Sequence, residues 1–126
     1  MAVEHLFAGI PVSDLDVSVE FYERVFGRPP DLVPNDREAA WRVTDSAWVC
    51  LYGGVANAAS APHTLLVDDL DGFLGGVAER GILAGPVEAV APSVRQSVIA
   101  DPDGNRLKVG QVQAEPAGER SGRRDG

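Results

Sequence analysis

"IPVSDLDVSVEFYERVFGRPP", residues 10–30, is repeated in outline by "LLVDDLDGFLGGVAERGILAGP", residues 65–86. Each stretch runs from a strand-like segment through Asp-Leu-Asp into an amphipathic helical pattern, and each ends in a segment that contains glycine. Alignment of Val12 with Val67, 55 residues later, superposes the two Asp-Leu-Asp triplets. This regular spacing indicates an internal duplication of one structural unit.

The first aspartates of the two triplets, Asp14 and Asp69, are predicted to cap helix N-termini. A carboxylate at this position accepts the unpaired amides of the first turn and favours the positive end of the helix dipole. Gly27 and Gly81 are predicted to end the helices. We interpret both triplets as capping motifs without a chemical role. The apolar faces at helical spacing are Val17, Phe21 and Val25 in the first helix, and Phe73, Val77 and Leu74 in the second.

Short β-type runs separated by turn residues follow each predicted helix. The runs are "EAAWRVT" (38–44) and "AWVCLYGG" (47–54) in the first half, and "VEAVAP" (87–92), "VRQSVIA" (94–100) and "NRLKVGQ" (105–111) in the second. Each half therefore consists of a strand, a helix and two or three further strands. One such half cannot cover both faces of its own sheet, so two halves must combine. The sequence predicts an α+β fold with repeats at about 3–54 and 62–112 in one domain, 1–112, followed by a mobile polar tail, 113–126.

Composition excludes several functional classes. The chain has 126 residues, a net charge of −8 and a pI of about 4.6, which disfavours general binding to nucleic acid or to anionic lipid. No apolar run approaches the roughly 20 residues that span a bilayer, and the first residues lack the basic region of a signal peptide. The single cysteine, Cys50, rules out an internal disulfide, and no Cys/His cluster suggests structural zinc. We predict a cytoplasmic protein.

The duplicated stretches, together with "DPDGNRLKV" near the end, resemble the vicinal oxygen chelate superfamily. This superfamily includes glyoxalase I, extradiol dioxygenases and bleomycin-resistance proteins, and the resemblance covers roughly residues 3–112. It implies two βαβββ modules whose eight strands form a curved mixed β-sheet cup, often in a homodimer. In the metalloenzymes of the superfamily the cup holds a divalent ion, with ligands, typically His and Glu, on the first and last strands of each module.

Transfer of these ligand positions to the present sequence gives residues that do not bind metal. The first-strand positions are occupied by Phe7 and Pro62, and the position of the Glu near the end is occupied by Lys108. The strand "AWVCLYGG" contains no carboxylate. An ammonium group has no lone pair for a cation. The resemblance therefore predicts no metal site and no cofactor.

Two histidines bear on this prediction. His5 shares the face of Phe7, whereas His63 points to the opposite side of its strand, so the two should not converge. A partly solvated histidine at a strand entrance is one interpretation of each. A rebuilt metal site that uses His5 is the alternative.

The last strand places two cations on one face. Arg106 and Lys108 alternate with Leu107 and Val109, so the cations should line the cup while the apolar pair packs beneath the helices. Cations in a concavity require an acidic partner or an anionic ligand. Alternatively, their aliphatic stems cover apolar wall and their charged groups reach water.

Aromatic residues supply the other candidate lining. Trp48, Cys50 and Tyr52 share one face of their strand, and Phe7 occupies a position where a metal ligand is usual. These rings are either core residues or a stacking wall for a flat ligand. The candidate ligand-binding residues are Phe7, Trp48, Tyr52, Arg106, Lys108 and His5.

Three functions remain compatible with the sequence. We predict a binder of a small organic molecule, anionic or aromatic, that lacks the family metal site. One alternative is an antibiotic-sequestering protein of the bleomycin-resistance kind, which the acidic pI favours and the two cations oppose. The other is a glyoxalase-like or dioxygenase-like metalloenzyme built around His5. If the chain is an enzyme, the resemblance implies a lyase or isomerase, or a dioxygenase, and no catalytic residue is assigned.

Overall fold

The computed structural model describes residues 2–58 and 62–113. Its strands are β1 (Leu6–Pro11), β2 (Leu32–Asn35), β3 (Glu38–Arg42), β4 (Ala47–Tyr52), β5 (His63–Leu66), β6 (Glu88–Ala91), β7 (Val94–Ala100) and β8 (Arg106–Val112). Its helices are α1 (Leu15–Phe26) and α2 (Leu70–Glu79). Neither of these helices has the length and apolarity that a membrane crossing requires. The predicted tail lies outside the described residues except for Gln113, whose backbone N–H donates to the carbonyl of Ser93.

The predicted duplication is visible in the strand order. The first sheet has the order β1-β4-β3-β2 and the second has the order β5-β8-β7-β6. In each sheet the first strand pairs in parallel with the last, and the other pairs are antiparallel. Two βαβββ modules and an α+β fold with mixed sheets are thus confirmed. Within the described ranges the eight strands are divided between two four-stranded sheets, and neither sheet is closed.

Strand β2 was not predicted from the sequence. It contains Pro34 and lies at the edge of the first sheet. Proline has no backbone N–H, and an edge strand tolerates this because one of its sides has no neighbouring strand to pair with. All four of its residues are exposed, so it shows no alternation of apolar and polar side chains. An edge strand of this kind gives a weak sequence signal.

The predicted helix ends are confirmed. Asp14 Oδ1 accepts from the Val17 amide at 3.2 Å, and Asp69 Oδ1 accepts from the Gly72 amide at 3.0 Å. Gly27 follows α1 with φ of 78°, in the left-handed region that glycine adopts at low cost.

The predicted apolar face of α1 is confirmed at Val25 and in part at Phe21, which packs partly buried against the core, but it is wrong at Val17. The buried residues are Ser18, Tyr22 and Val25, whereas Val17 is half exposed. The Tyr22 hydroxyl donates to Asp101 of the second module at 2.9 Å, so this side of the helix faces the contact between the modules. In α2, Leu70 and Val77 are buried, and Phe73 and Leu74 pack partly buried against the core.

One hydrophobic core joins the two modules. It contains residues of both helices and of the helix-facing sides of both sheets, including Trp41, Leu51, Leu107 and Val109. The burial of Leu107 and Val109 confirms their predicted position beneath the helices. The sheet faces directed away from the helices, here called open face A for the first sheet and open face B for the second, lie outside this core.

The "DPDGN" motif (101–105) connects the modules through a buried polar cluster, here called the clamp: Asp101, Asn105, Tyr22 and Pro11. Asp101 Oδ1 accepts from the backbone amides of Asp103 and Asn105, and Oδ2 accepts from Tyr22 Oη and Asn105 Nδ2. Asn105 Nδ2 also donates to the carbonyl of Pro11 at 2.8 Å. Burial, reinforced by the Asp101 carboxylate, raises the pKa of Tyr22, so the phenol remains a hydrogen-bond donor. The motif therefore fastens the second module to the start of the first.

Candidate functional site

Open face A carries an exposed aromatic pair. The parallel register of β1 and β4 places Phe7 beside Trp48, and the two rings stack with centroids 5.2 Å apart and an interplanar angle of 12°. Phe7 is 45% exposed, so its ring is accessible from the side of the sheet that faces away from the helices. Trp41, by contrast, is fully buried in the core. Of the chain's two tryptophans, only Trp48 can contact a ligand on this face.

His5 adjoins the aromatic pair. Trp48 Nε1 donates to His5 Nδ1 at 3.2 Å, so Nδ1 acts as an acceptor and the imidazole is fixed against the indole edge. His63 lies in β5 in register with Leu107, on the helix-facing side of the other sheet. The expectation that the two histidines do not converge agrees with this placement.

Arg42 is a further member of the site that the sequence did not reveal. Its guanidinium carbon lies 5.7 Å from the centroid of the Trp48 ring, in a cation–π arrangement. The antiparallel register of β3 and β4 brings the two residues opposite each other. Only this register, which depends on the four-residue turn between the strands, identifies Arg42 as a neighbour of the stack.

Tyr52 lies on the same face, over Gly9. A Cβ atom at position 9 would stand 2.7 Å from Cε2 of Tyr52, so the absence of a side chain at Gly9 allows the phenol ring to lie on the strand. Burial raises the pKa of the adjacent Cys50 thiol, and the proximity of Cys50 in turn raises the pKa of Tyr52. The raised pKa favours the neutral thiol form of Cys50 at neutral pH.

Open face B carries the two predicted cations. Lys108 lies between Thr64 of β5 and Val98 of β7, and Arg106 lies opposite Ala100. Lys108 is half buried and Arg106 is exposed. Within residues 2–58 and 62–113 neither side chain makes a hydrogen bond, an ion pair or a cation–π contact. The predicted acidic partner for Lys108 is thus not found among these residues.

The candidate residues therefore form two groups on two sheets. His5, Phe7, Trp48 and Tyr52 share open face A, whereas Arg106 and Lys108 share open face B. The first face offers flat apolar surface and the second offers positive charge. A single chain keeps the two groups on separate sheets.

The residues present do not fit the divalent metal that the family implies. The side chains at the expected positions are a phenyl ring, a proline ring and an ammonium group, supplied by Phe7, Pro62 and Lys108. No cluster of three or more His, Cys, Asp or Glu side chains suited to a metal occurs in the part of the chain that is described. His5 has one ring nitrogen engaged by Trp48.

Comparison with solved structures supports the fold and the family. A glyoxalase/bleomycin resistance protein from Catenulispora acidiphila DSM 44928 is 34% identical, with 86% of this chain and 97% of that chain covered and a TM-score of 0.80. TnmS3, an antibiotic binding protein from Streptomyces sp. CB03234, is 27% identical, with 90% and 99% covered and a TM-score of 0.68. The bleomycin resistance determinant encoded on the transposon Tn5 is 21% identical, with 87% and 98% covered and a TM-score of 0.72. No curated protein matches the sequence.

A family model agrees with the structural comparison. The model described as the Glyoxalase/Bleomycin resistance protein/Dioxygenase superfamily matches residues 2–109, which include the first module, the second module as far as the middle of β8, and the motif that joins them. The protein belongs to the Glyoxalase/Bleomycin resistance protein/Dioxygenase superfamily.

Proposed function

We propose that the protein binds a small planar organic anion, without a metal ion, and that open face A is the stacking surface. The observation that carries this proposal is the exposed Phe7–Trp48 stack, which lies outside the core. Large aromatic rings on a sheet face are normally covered, and exposed apolar patches mark interaction sites. A flat ligand would extend the stack by one ring.

The charge of the ligand is inferred from open face B. Lys108 and Arg106 have no acidic partner among the described residues, and an anion would satisfy the half-buried ammonium. A planar carboxylate combines a ring for open face A with a charge for open face B. Because these faces lie on different sheets, a single small ligand reaches both only if they are brought opposite each other.

A homodimer would bring the two faces together. Both open faces expose apolar side chains, including Tyr52 at 39% and Leu66 at 65%, and the free edges of β1 and β5 have no strand partner among the described residues. Open face A of one chain against open face B of a second chain would cover these groups and form two equivalent cups. We expect a dimer in sedimentation at micromolar concentration, and a clean monomer would contradict the arrangement.

The ligand proposal is tested by tryptophan fluorescence with a panel of aromatic carboxylates. Stacking on Trp48 should quench its emission, while the buried Trp41 provides a constant background. Phe7→Ala should weaken binding by roughly 5- to 20-fold, because it removes one ring of the stack. Leu83→Ala is the matched control, since Leu83 is 95% exposed and lies on neither open face. Quenching that persists unchanged in Phe7→Ala would exclude open face A as the stacking surface.

Antibiotic sequestration is the second candidate. It is favoured by the similarity to TnmS3, which is an antibiotic binding protein. An aromatic face suits a polycyclic drug, but Arg106 and Lys108 oppose a cationic one. Inclusion of neutral and cationic antibiotics in the same fluorescence panel separates the two candidates, because only the anion proposal requires carboxylates to bind more tightly.

A metalloenzyme built around His5 is the least supported alternative. It would need two or three donors at about 2 to 2.2 Å from one point, and no neighbouring donor set accompanies His5 among the described residues. We assign no reaction to the chain. A cytoplasmic location stays a prediction from the sequence.

A further inference from the structure

A second recess lies between the two modules, away from open face A and bordered by Leu66, whose side chain belongs to open face B. Its volume is about 380 Å³, and its walls come from the end of α1, the β3–β4 turn, β5 and α2. The apolar lining includes Phe26, Val43, Ala47, Leu66 and Phe73. The volume falls within the range of small-molecule sites, roughly 300 to 1,000 Å³. We call this recess the inter-module cavity.

The duplication explains why the cavity exists. The 55-residue offset of the duplication makes Ala8 and His63 equivalent positions. Ala8 pairs with Val49 in the first sheet, and His63 pairs with Leu107 in the second. Leu107 therefore corresponds to Val49, which lies 58 residues earlier in the chain. The same offset relates the β7–β8 turn to the β3–β4 turn.

The two turns share a closing hydrogen bond. The amide of Asp101 donates to the carbonyl of Asn105 at 2.9 Å, and the amide of Val43 donates to the carbonyl of Ala47 at 2.9 Å. Asp101 thus corresponds to Val43, and Asn105 corresponds to Ala47. The clamp and the inter-module cavity occupy equivalent places at the two contacts between the modules.

The side chains at these two equivalent places differ in size and polarity. In the second module, Asp101 and Asn105 fill the contact and bond to α1 and β1. In the first module, Val43 and Ala47 are short and apolar, so they neither fill the equivalent space nor form those bonds. One contact is consequently a sealed polar cluster and the other is an open apolar recess.

The chemistry of the lining restricts the occupant. Among the described residues that line the recess, Arg28 is the one ionisable side chain and none is acidic. Its Nη2 forms an ion pair with the Asp31 carboxylate at 3.0 Å and donates to the carbonyl of Arg42, and both contacts hold the guanidinium in place. Its other N–H groups make no hydrogen bond within residues 2–58 and 62–113. The lining therefore offers apolar walls with fixed donors at one end.

The chain's own C-terminal residues do not match this lining. Residues 114–126, "AEPAGERSGRRDG", contain no Val, Leu, Ile, Met or aromatic residue. Such a segment has no large apolar group to bury in the recess. A separate molecule is therefore the better match for the cavity.

We propose that the inter-module cavity binds a small monocarboxylate with an apolar body, its carboxylate directed to Arg28. This site is distinct from open face A and does not depend on the function proposed for that face. Guanidinium N–H groups pair well with carboxylate oxygens, and the apolar walls would bury the ligand body.

The proposal is tested by NMR titration with octanoate and, separately, with 1-octanol, which has the same chain length but no carboxylate. The signals followed are those of the backbone amides and of the tryptophan indole N–H groups. Octanoate should shift the amides of Val43, Leu66 and Val67 and leave the Trp48 indole N–H unchanged. Octanoate should bind at least about tenfold more tightly than 1-octanol. Shifts centred on Trp48, or equal affinity for the two probes, would overturn the proposal.

Two variants and one control complete the test. Ala47→Leu should fill the recess and reduce octanoate binding by roughly tenfold or more, and Arg28→Gln should remove the preference for octanoate over 1-octanol. Phe7→Ala, which changes only open face A, should leave octanoate binding as it is. Thermal melts check that each variant is folded. If a variant does not fold, the comparison of octanoate with 1-octanol on the wild-type chain still decides the proposal. Octanoate binding that is unaffected by Ala47→Leu would show that the recess is not the site.

Discussion

Asp101→Ala is expected to destabilise the folded chain by about 3 to 5 kcal/mol. The Asp101 side chain is buried and accepts four hydrogen bonds, from two backbone amides, one amide side chain and one phenol. Alanine would leave these donors without their acceptor, and each unpaired buried group costs about 1 to 3 kcal/mol before relaxation. The Tyr22 hydroxyl has no other acceptor in the described structure. The loss should loosen the contact between the modules as well as the turn.

Urea denaturation of Asp101→Ala, Tyr22→Phe and Asp103→Ala measures this effect against two controls. Tyr22→Phe removes a single donor of the clamp and should cost about 1 to 2 kcal/mol. Asp103→Ala removes an exposed acceptor of Ser13 and should cost about 1 kcal/mol or less. If Asp101→Ala were no less stable than Asp103→Ala, the clamp would not hold the modules together.

Local signals in the sequence predicted most of the elements correctly. The caps at Asp14 and Asp69 depend on groups three residues away, so the sequence contains the whole interaction. The buried side of β8 follows in the same way from simple alternation of Leu107 and Val109 with their polar neighbours. The repeat of these local patterns predicted two similar units of a strand, a helix and further strands, and the family resemblance implied the full βαβββ order of each unit.

Long-range contacts account for what the sequence did not reveal. Tyr22 is buried on α1 and donates a hydrogen bond to Asp101, which is 79 residues away in the chain and therefore gives no local signal at Tyr22. Arg42 joins the aromatic group only through the register of β3 with β4. The motif at 101–105 contributed to the family resemblance, but its contact with Pro11 requires the packing of one module on the other. The ligand, the dimer and the roles of the site residues stay predictions.

Leu107→Ala is expected to lower the free energy of unfolding by about 2 to 4 kcal/mol. Leu107 is 1% exposed and belongs to the core that joins the modules. Truncation removes buried apolar surface and leaves a cavity that the surrounding strands and helices fill only in part. Urea denaturation measures the loss, and Lys108→Ala is the matched control because the two residues are adjacent on β8 and project from opposite faces.

Lys108→Ala should change stability by no more than about 0.5 kcal/mol. Lys108 is half buried on open face B and has no acidic partner within the described ranges. Relief of a partly desolvated ammonium offsets the lost contacts of its aliphatic stem. A large loss of stability in this variant would instead indicate an acid that the lysine neutralises, since a buried acid left alone costs about 3 to 5 kcal/mol.

The two variants should also differ in their response to aromatic carboxylates. If Lys108 belongs to ligand recognition, these anions should raise the melting temperature of wild type more than that of Lys108→Ala, because only wild type supplies the ammonium. Leu107→Ala should have a lower melting temperature than wild type without ligand. It should nevertheless keep the anion-induced increase in melting temperature, because its side chain lies on the other face of the strand. Equal stabilisation of wild type and Lys108→Ala would show that the lysine does not contact the anion.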